Sequence, residues 1–264
     1  MLGPIVADVG VLPITVFTDP YCPWSWGAEP QLRRLQVEFG ARVAITFVIV
    51  GLRRALEAPD AGALALATLD AAAESGMPAD ARVFLRDAPR STHPAALAVH
   101  AVAEQGDPGP YLRRLREAIF VEGRRMDNAA ALLDAAREVG GLDLDRLQVD
   151  LASNAIVEGF GADLERGRGI TTPAFSFGGG EPVEGYGPYQ RVREAAIAAG
   201  AEPLAERPSV EDALRRFGRL ATPEVAAACD LPGPRAAAAL WNLALEWRVR
   251  PRPAVGGELW ELAA

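Results

Sequence analysis

The chain has 264 residues, half of them apolar, enough for one sizeable core and a smaller second one. Its formal charge is −8 and every basic side chain is an arginine, a balance that does not point to a polyanionic partner. Two cysteines (Cys22, Cys229) and two histidines (His93, His100) are too few for a disulfide scaffold or a structural zinc site.

The opening MLGPIVADVGVLPITVF has no basic leader and carries Asp8, so no secretory signal is expected. No run of about 18 uncharged apolar residues marks a membrane span. The expectation is a soluble cytoplasmic protein with reduced thiols and no membrane partner. Residues 13–18 (PITVFT) are β-branched and aromatic, bounded by Pro13 and Asp19-Pro20, the pattern of a short buried strand. Leu32, Leu35 and Phe39 then recur at helical spacing, with Gly40 as a stop signal. Residues 42–50 (RVAITFVIV) are apolar almost throughout, which predicts a second strand covered on both faces. Strand, helix and strand in that order predict a βαβ unit.

From residue 52 to about 167 the pattern is helical with no strand. GDPGP at 106–110 and GGLDLD at 140–145 read as turns, and His93-Pro94 and Asp127-Asn128 as helix starts. Sheet character returns at 172–177 (TPAFSF), followed by a turn at 178–181, a partner strand at 182–185 and a closing helix at 188–199. Residues 201–209 read as a linker. In the last stretch Ser209 caps a helix carrying Leu214 and Phe217, and Thr222 caps a second with Pro223 at its first position. Pro234 opens a third helix that runs through Trp247. RVRPRPAVGGELWEL then gives two strands around Gly256-Gly257, completing the outline of a winged helix.

The chemistry centres on Cys22. A lone cysteine is usually an inert core residue. Cys22, however, follows a strand and starts a helix, where unpaired N–H groups and the helix dipole favour an anion such as a thiolate. Pro23 suits the first helical turn because it leaves no N–H unpaired. Trp24 and Trp26 flank the site; an exposed aromatic there would dock apolar substrate, although both also fit a core. Ser25 lies one turn on. Its hydroxyl is expected to donate to the Cys22 sulfur, but it cannot resolve a mixed disulfide. Pro173 enters a strand, where a proline removes a ladder donor, and its peptide bond is open to either isomer.

DPYCPWSWG (19–27), STHP (91–94), AIF (118–120) and GITTPAFSFGG (169–179) together resemble the DsbA family of thioredoxin-fold oxidoreductases, especially its cytoplasmic FrnE-like branch, over about residues 13–200. The resemblance implies an α/β, thioredoxin-like fold built from 1–51 and 168–200, with an all-helical domain inserted at 52–167. The small winged-helix-like domain at 209–264 follows it. The resemblance also implies that Cys22 attacks, that Pro173 is cis, and that Thr172 packs beside the sulfur and offers backbone groups to a bound peptide. Pro23, Trp24, Thr172 and Pro173 are the expected substrate contacts, with Cys22 and Ser25 catalytic. No metal, flavin or nicotinamide cofactor is expected, and a low-molecular-weight thiol is the one co-substrate in view.

The family's motif carries cysteine at both ends, and Ser25 holds the second position here. The reading is therefore a monothiol disulfide isomerase or reductase acting through a mixed disulfide at Cys22. Its partners would be a disulfide-containing protein or a small-thiol mixed disulfide. Cys229 sits in the apolar VAAACDLP and reads as core, a distant resolver only if two domains closed on each other. Two alternatives remain. Kappa-class glutathione transferases and chromene-carboxylate isomerases share the inserted architecture but carry serine at the reactive position. DsbA-like adaptors bind a client and deliver it to a protease without catalysing exchange. DNA is not an expected partner, because acids balance the arginines of 209–264 and the basic cluster is confined to Arg248, Arg250 and Arg252.

Overall fold

The computed structural model describes residues 10–263. β1 (Leu12–Thr18) and β2 (Val43–Ile49) pair in parallel, from Leu12 opposite Val43 to Thr18 opposite Ile49. The crossover between them is α1 (Pro23–Gly27), α2 (Glu29–Glu38) and a 3-10 turn at Gly40–Arg42. Leu32, Leu35 and Phe39 bury one face of this crossover against Ile14 and Val16, as their helical spacing requires. β3 (Ala174–Phe177) runs antiparallel to β1 on its other side, and β4 (Val183–Glu184) closes the order β2-β1-β3-β4.

β2 departs from the expectation of a strand covered on both faces. It is an edge strand, with Ala44 and Thr46 exposed and Val43, Ile45 and Phe47 half-buried. Only Val48 and Ile49, at its far end, are fully buried. An apolar run records what a strand can bury; which neighbours arrive to cover it is a tertiary matter.

Between β2 and β3 lie seven helices: α3 (Ala58–Ser75), α4 (Arg82–Arg86), α5 (His93–Ala103), α6 (Gly109–Phe120), α7 (Ala129–Val139), α8 (Leu144–Asp150) and α9 (Asn154–Arg166). α6 is buried on every side, its arginines included. Tyr21 and Trp26, which follow β1, join this helical core. Tyr21 meets Phe84 edge-on at 6.3 Å, and Trp26 stacks on Phe120 at 5.9 Å while donating its indole N–H to Pro78 O at 2.9 Å. Gly51, at φ +61°, lets the chain leave β2 beside α9; a Cβ there would come within 2.7 Å of the Leu164 side chain.

After α10 (Tyr189–Ala198), the 201–209 segment is tied back to α2 by a Leu204 N–H to Glu38 O bond of 2.6 Å. Then come α11 (Val210–Phe217), β5 (Leu220–Ala221), α12 (Thr222–Ala228), α13 (Pro234–Leu245), β6 (Val249–Ala254) and β7 (Gly257–Leu262). The three strands are antiparallel in the order β5-β7-β6. Ser209 caps α11 through Asp212 N–H.

Two details differ from the sequence reading. Thr222 is the first residue of α12, not its cap: its hydroxyl accepts the Trp260 indole N–H at 2.9 Å, and the Glu224 carboxylate takes Ala221 N–H at 2.8 Å. α13 ends at Leu245, because Trp247 adopts φ +59° and breaks the helical backbone. Val210, Leu214, Val225, Leu240 and Trp260 form a separate core, joined by Val37 from α2.

Candidate active site

Cys22 is the N-cap of α1. Its backbone is extended (φ −77°, ψ 113°), and its Sγ accepts the Ser25 backbone N–H at 3.3 Å. Pro23 follows as the first helical residue, where a missing donor costs nothing. The approach from β1 is rigid. Cys22 N–H donates to Asp19 O at 3.2 Å, and the Asp19 carboxylate takes Tyr21 N–H at 2.7 Å and Leu52 N–H at 2.9 Å. Burial pushes the Asp19 carboxyl up to about 6 against these bonds and the nearby Arg116 charge. Arg116 reaches in from α6 and donates to the Thr18 hydroxyl.

The second half of the site arrives from the start of β3. The Thr172–Pro173 peptide bond is cis. Thr172 Oγ1 lies 3.2 Å from Cys22 Sγ and Thr172 O lies 3.9 Å from it. Glu184 of β4 accepts Thr171 N–H at 2.7 Å and fixes this loop from behind. A thiolate at Cys22 would find two donors, the Ser25 N–H and the Thr172 hydroxyl, and a neutral thiol would find the Thr172 carbonyl as acceptor. The sulfur-bearing residue is only 4 % exposed.

The Ser25 hydroxyl does not do what the sequence suggested. The capping geometry gives the sulfur the amide of Ser25, and Ser25 Oγ is buried with no hydrogen-bond partner. The two tryptophans divide their roles: Trp26 belongs to the core, while Trp24 is half-buried and faces Tyr186 at 5.5 Å. Sequence reasoning missed Tyr186. Its signal was a lone aromatic between Gly185 and Gly187, after the short β4, and the Gln31 side chain holds that loop through Gly187 O at 2.6 Å. Cys229 lies in the C-terminal core, where burial pushes its thiol up to about 11. His93 packs edge-on against Phe160 and His100 lies 3.6 Å from Asp163; neither joins Cys22.

A buried charge cluster supporting the site was also invisible to pattern reading. Glu29 binds Arg33 at 2.7 Å and Arg116 at 2.5 Å. Glu224, fully buried, binds Arg113 at 2.8 Å and Arg33 at 3.3 Å, and Arg113 also holds Glu117 at 3.0 Å. Burial opposes ionisation of Glu29, yet Arg33, Arg116 and Arg113 outweigh it and hold its carboxyl at about 2. The cluster thus joins α2, α6 and α12. By contrast, Arg248, Arg250 and Arg252 near the β6–β7 hairpin are each paired with a carboxylate, Glu211 or Glu261. Among the described residues, no three His, Cys, Asp or Glu side chains gather to hold a metal ion, and no helix is long and apolar enough to cross a membrane.

Comparison with known proteins agrees with this architecture. The family model described as Thioredoxin matches residues 15–172. The ClpXP adapter protein SpxH of Shouchella clausii is 30% identical, over 95% of this chain and 88% of its own length. A candidate protein disulfide isomerase from Nitrosomonas europaea superposes with a TM-score of 0.63 at 20% identity, covering 71% of this chain and 96% of its own. The cytosolic disulfide reductase DsbM of Pseudomonas aeruginosa, also solved with GSH, gives 0.57 at 21% identity, covering 70% and 92%. With one family model matching more than half of its length, the chain belongs to the thioredoxin family, and the inserted helices between the two parts of its sheet give it a DsbA-like fold.

Proposed function

We propose that the protein exchanges disulfides through Cys22 as a monothiol. The observation that carries the reading is the pair of donors, Ser25 N–H at 3.3 Å and the Thr172 hydroxyl at 3.2 Å, converging on one sulfur at a helix start. The Cys22 thiolate attacks one sulfur of a substrate disulfide. A new S–S bond forms to Cys22, and the other substrate sulfur leaves as a thiolate. A second thiolate then attacks the mixed disulfide and restores Cys22. If that thiolate belongs to the substrate, the net result is isomerisation with no change in oxidation state. If it belongs to a small thiol such as glutathione, the substrate sulfur is passed on to that thiol. Pro23, Trp24 and Pro173 would line the approach, with Thr172 offering its backbone carbonyl to a bound chain. The proposed compartment is the cytoplasm, which keeps both cysteines reduced.

The test is turnover of a scrambled-disulfide protein and of a glutathione-mixed disulfide by the purified chain. Activity should vanish in Cys22→Ser and persist in Cys229→Ser, with the mixed disulfide seen by mass spectrometry at Cys22. Exchange that survives Cys22→Ser would end the proposal.

A second reading is favoured by one specific observation. The match to the SpxH adapter is too long to omit the C-terminal unit, whereas the solved oxidoreductases cover about 70% of the chain. In this reading α11 to β7 form a winged-helix-like module for protein contact, and the 4 % exposed Cys22 helps hold a client segment without turning it over. Protease-dependent loss of a bound client, weakened in Cys22→Ser and without turnover of any disulfide substrate by the unaltered chain, would favour delivery over exchange.

A further inference from the structure

α13 presents two different faces. Ala236 and Leu240 are fully buried, with Val249 and Trp260, in the C-terminal core. Pro234, Ala238, Trp241 and Leu245 are exposed, Trp241 by 48 % and Leu245 by 79 %. These four recur four, three and four residues apart, so they form one apolar seam along the solvent side of the helix. Trp241 does not swing free. Its ring meets Trp260 edge-on at 4.9 Å, so docking against it costs little side-chain entropy.

The seam is complementary to its own reverse. Laid antiparallel about a two-fold axis between Ala238 and Trp241, Trp241 of one copy faces Ala238 of the other, and Leu245 faces Pro234. Each level then sets a large side chain against a small one, the arrangement that lets two helices interdigitate. The charges agree. Arg235 and Glu246 lie on the same flank of the seam, eleven residues apart, which is about three turns. Each has the wrong sign for its own helix end, since a cation is disfavoured at an N-terminus and an anion at a C-terminus. Among the described residues Arg235 has no carboxylate partner, unlike Arg248, Arg250 and Arg252. Glu246 meets Arg248 at 3.0 Å with its side chain 59 % exposed. A two-fold rotation that reverses the helix keeps this flank on one side. It brings Arg235 of each copy to Glu246 of the other, and each charge to the helix end that favours it.

We propose that the protein forms a two-fold dimer through α13, so that a second copy of the chain covers this face. With the polar flank included, the pair would bury on the order of 1,200 Å², the lower limit for a specific, stable interface. The dimer is therefore reversible, with a dissociation constant on the order of 10 μM.

Sedimentation equilibrium of the full chain from about 1 to about 300 μM tests this. The mass should rise from monomer to dimer and stop there. Leu245→Glu should weaken association at least tenfold, while Val149→Glu, at a similarly exposed apolar position on α8, should leave it unchanged. Arg235→Glu should weaken association at least threefold, and adding Glu246→Arg should restore it. All four positions are exposed, so these changes leave the core intact. A monomer at every concentration, growth beyond the dimer, a dimer retained in Leu245→Glu, or a double charge variant no tighter than Arg235→Glu alone would each overturn the proposal.

Discussion

Replacing Glu224 with glutamine tests the charge cluster that joins the C-terminal unit to the rest of the protein. Glu224 is fully buried and its carboxylate serves three donors: Arg113 at 2.8 Å, Arg33 at 3.3 Å and Ala221 N–H at 2.8 Å. Burial holds its carboxyl above the usual carboxylate range, and Arg113 and Arg33 offset only part of that. Glutamine keeps the shape but brings an NH₂ group against one guanidinium and leaves a buried positive charge uncompensated. Breaking a buried pair in this way costs about 3–5 kcal/mol. Against a typical total of about 5–15 kcal/mol that is a large share. At about 2–4 °C per kcal/mol for a chain of this size, the melting temperature should fall by roughly 6–20 °C. Urea unfolding gives the free energy, and hydrogen exchange across residues 210–262 reports whether the C-terminal unit loosens first. Arg113→Met combined with Glu224→Gln should be less damaging than the sum of the single changes by at least about 1 kcal/mol. A loss below about 1 kcal/mol for Glu224→Gln, with strict additivity, would mean that the carboxyl is neutral in the folded protein and that the electrostatic account is wrong.

Further predictions follow from the Cys22 site and the C-terminal unit. Ser25→Cys should allow an internal disulfide with Cys22 across one helical turn, seen as loss of a free thiol on oxidation; two titratable thiols remaining at that pair would refute the local geometry. Thr172→Val removes the hydroxyl 3.2 Å from the sulfur. A hydrogen bond to a charged group contributes roughly 1.5–3 kcal/mol, so iodoacetamide should react with Cys22 about tenfold more slowly at neutral pH. Asp19, raised to about 6 by burial, contributes stability that is complete below about pH 4 and is lost as pH rises through about 6. Relative to Asp19→Asn, unfolding free energy should therefore fall by about 2.5 kcal/mol between pH 4 and pH 7, and a flat difference would contradict the assignment. Trp247 is 87 % exposed at φ +59°, so Trp247→Gly should relieve backbone strain and stabilise by about 0.5–1 kcal/mol in thermal unfolding.

Much of the fold was legible because its signals are local. The β-branched run at 13–18, the proline-opened helix after Cys22 and the Asn128 and Ser209 caps each need only a few neighbouring residues to act. The approach of Thr172 to Cys22 was an implication of the resemblance carried by CPWS and TTPAF, and no local signal required it. Tyr186 was not, because one aromatic in a glycine-rich turn has no periodicity to betray its position. The Ser25 hydroxyl was assigned a bond that the amide of the same residue makes instead, a distinction of side-chain direction that spacing cannot carry. In α6, YLRRLREAIF would read as an amphipathic helix with a solvated charged face, yet Arg113 and Arg116 are buried against acids from α2 and α12, and Glu117 is buried against Arg113 of its own helix.

By itself, the sequence determined the order and approximate place of most strands and helices, that one cysteine stands at a helix start, and that no second cysteine accompanies it there. Those are properties of short segments, set by backbone propensity, capping and side-chain type. Only the tertiary structure decided that β2 is an edge and that Glu224 closes a charge cluster begun at Glu29. Long-range pairing depends on which surfaces remain to be covered after local structure forms, and a buried charge is tolerable only when its partner arrives from elsewhere in the chain.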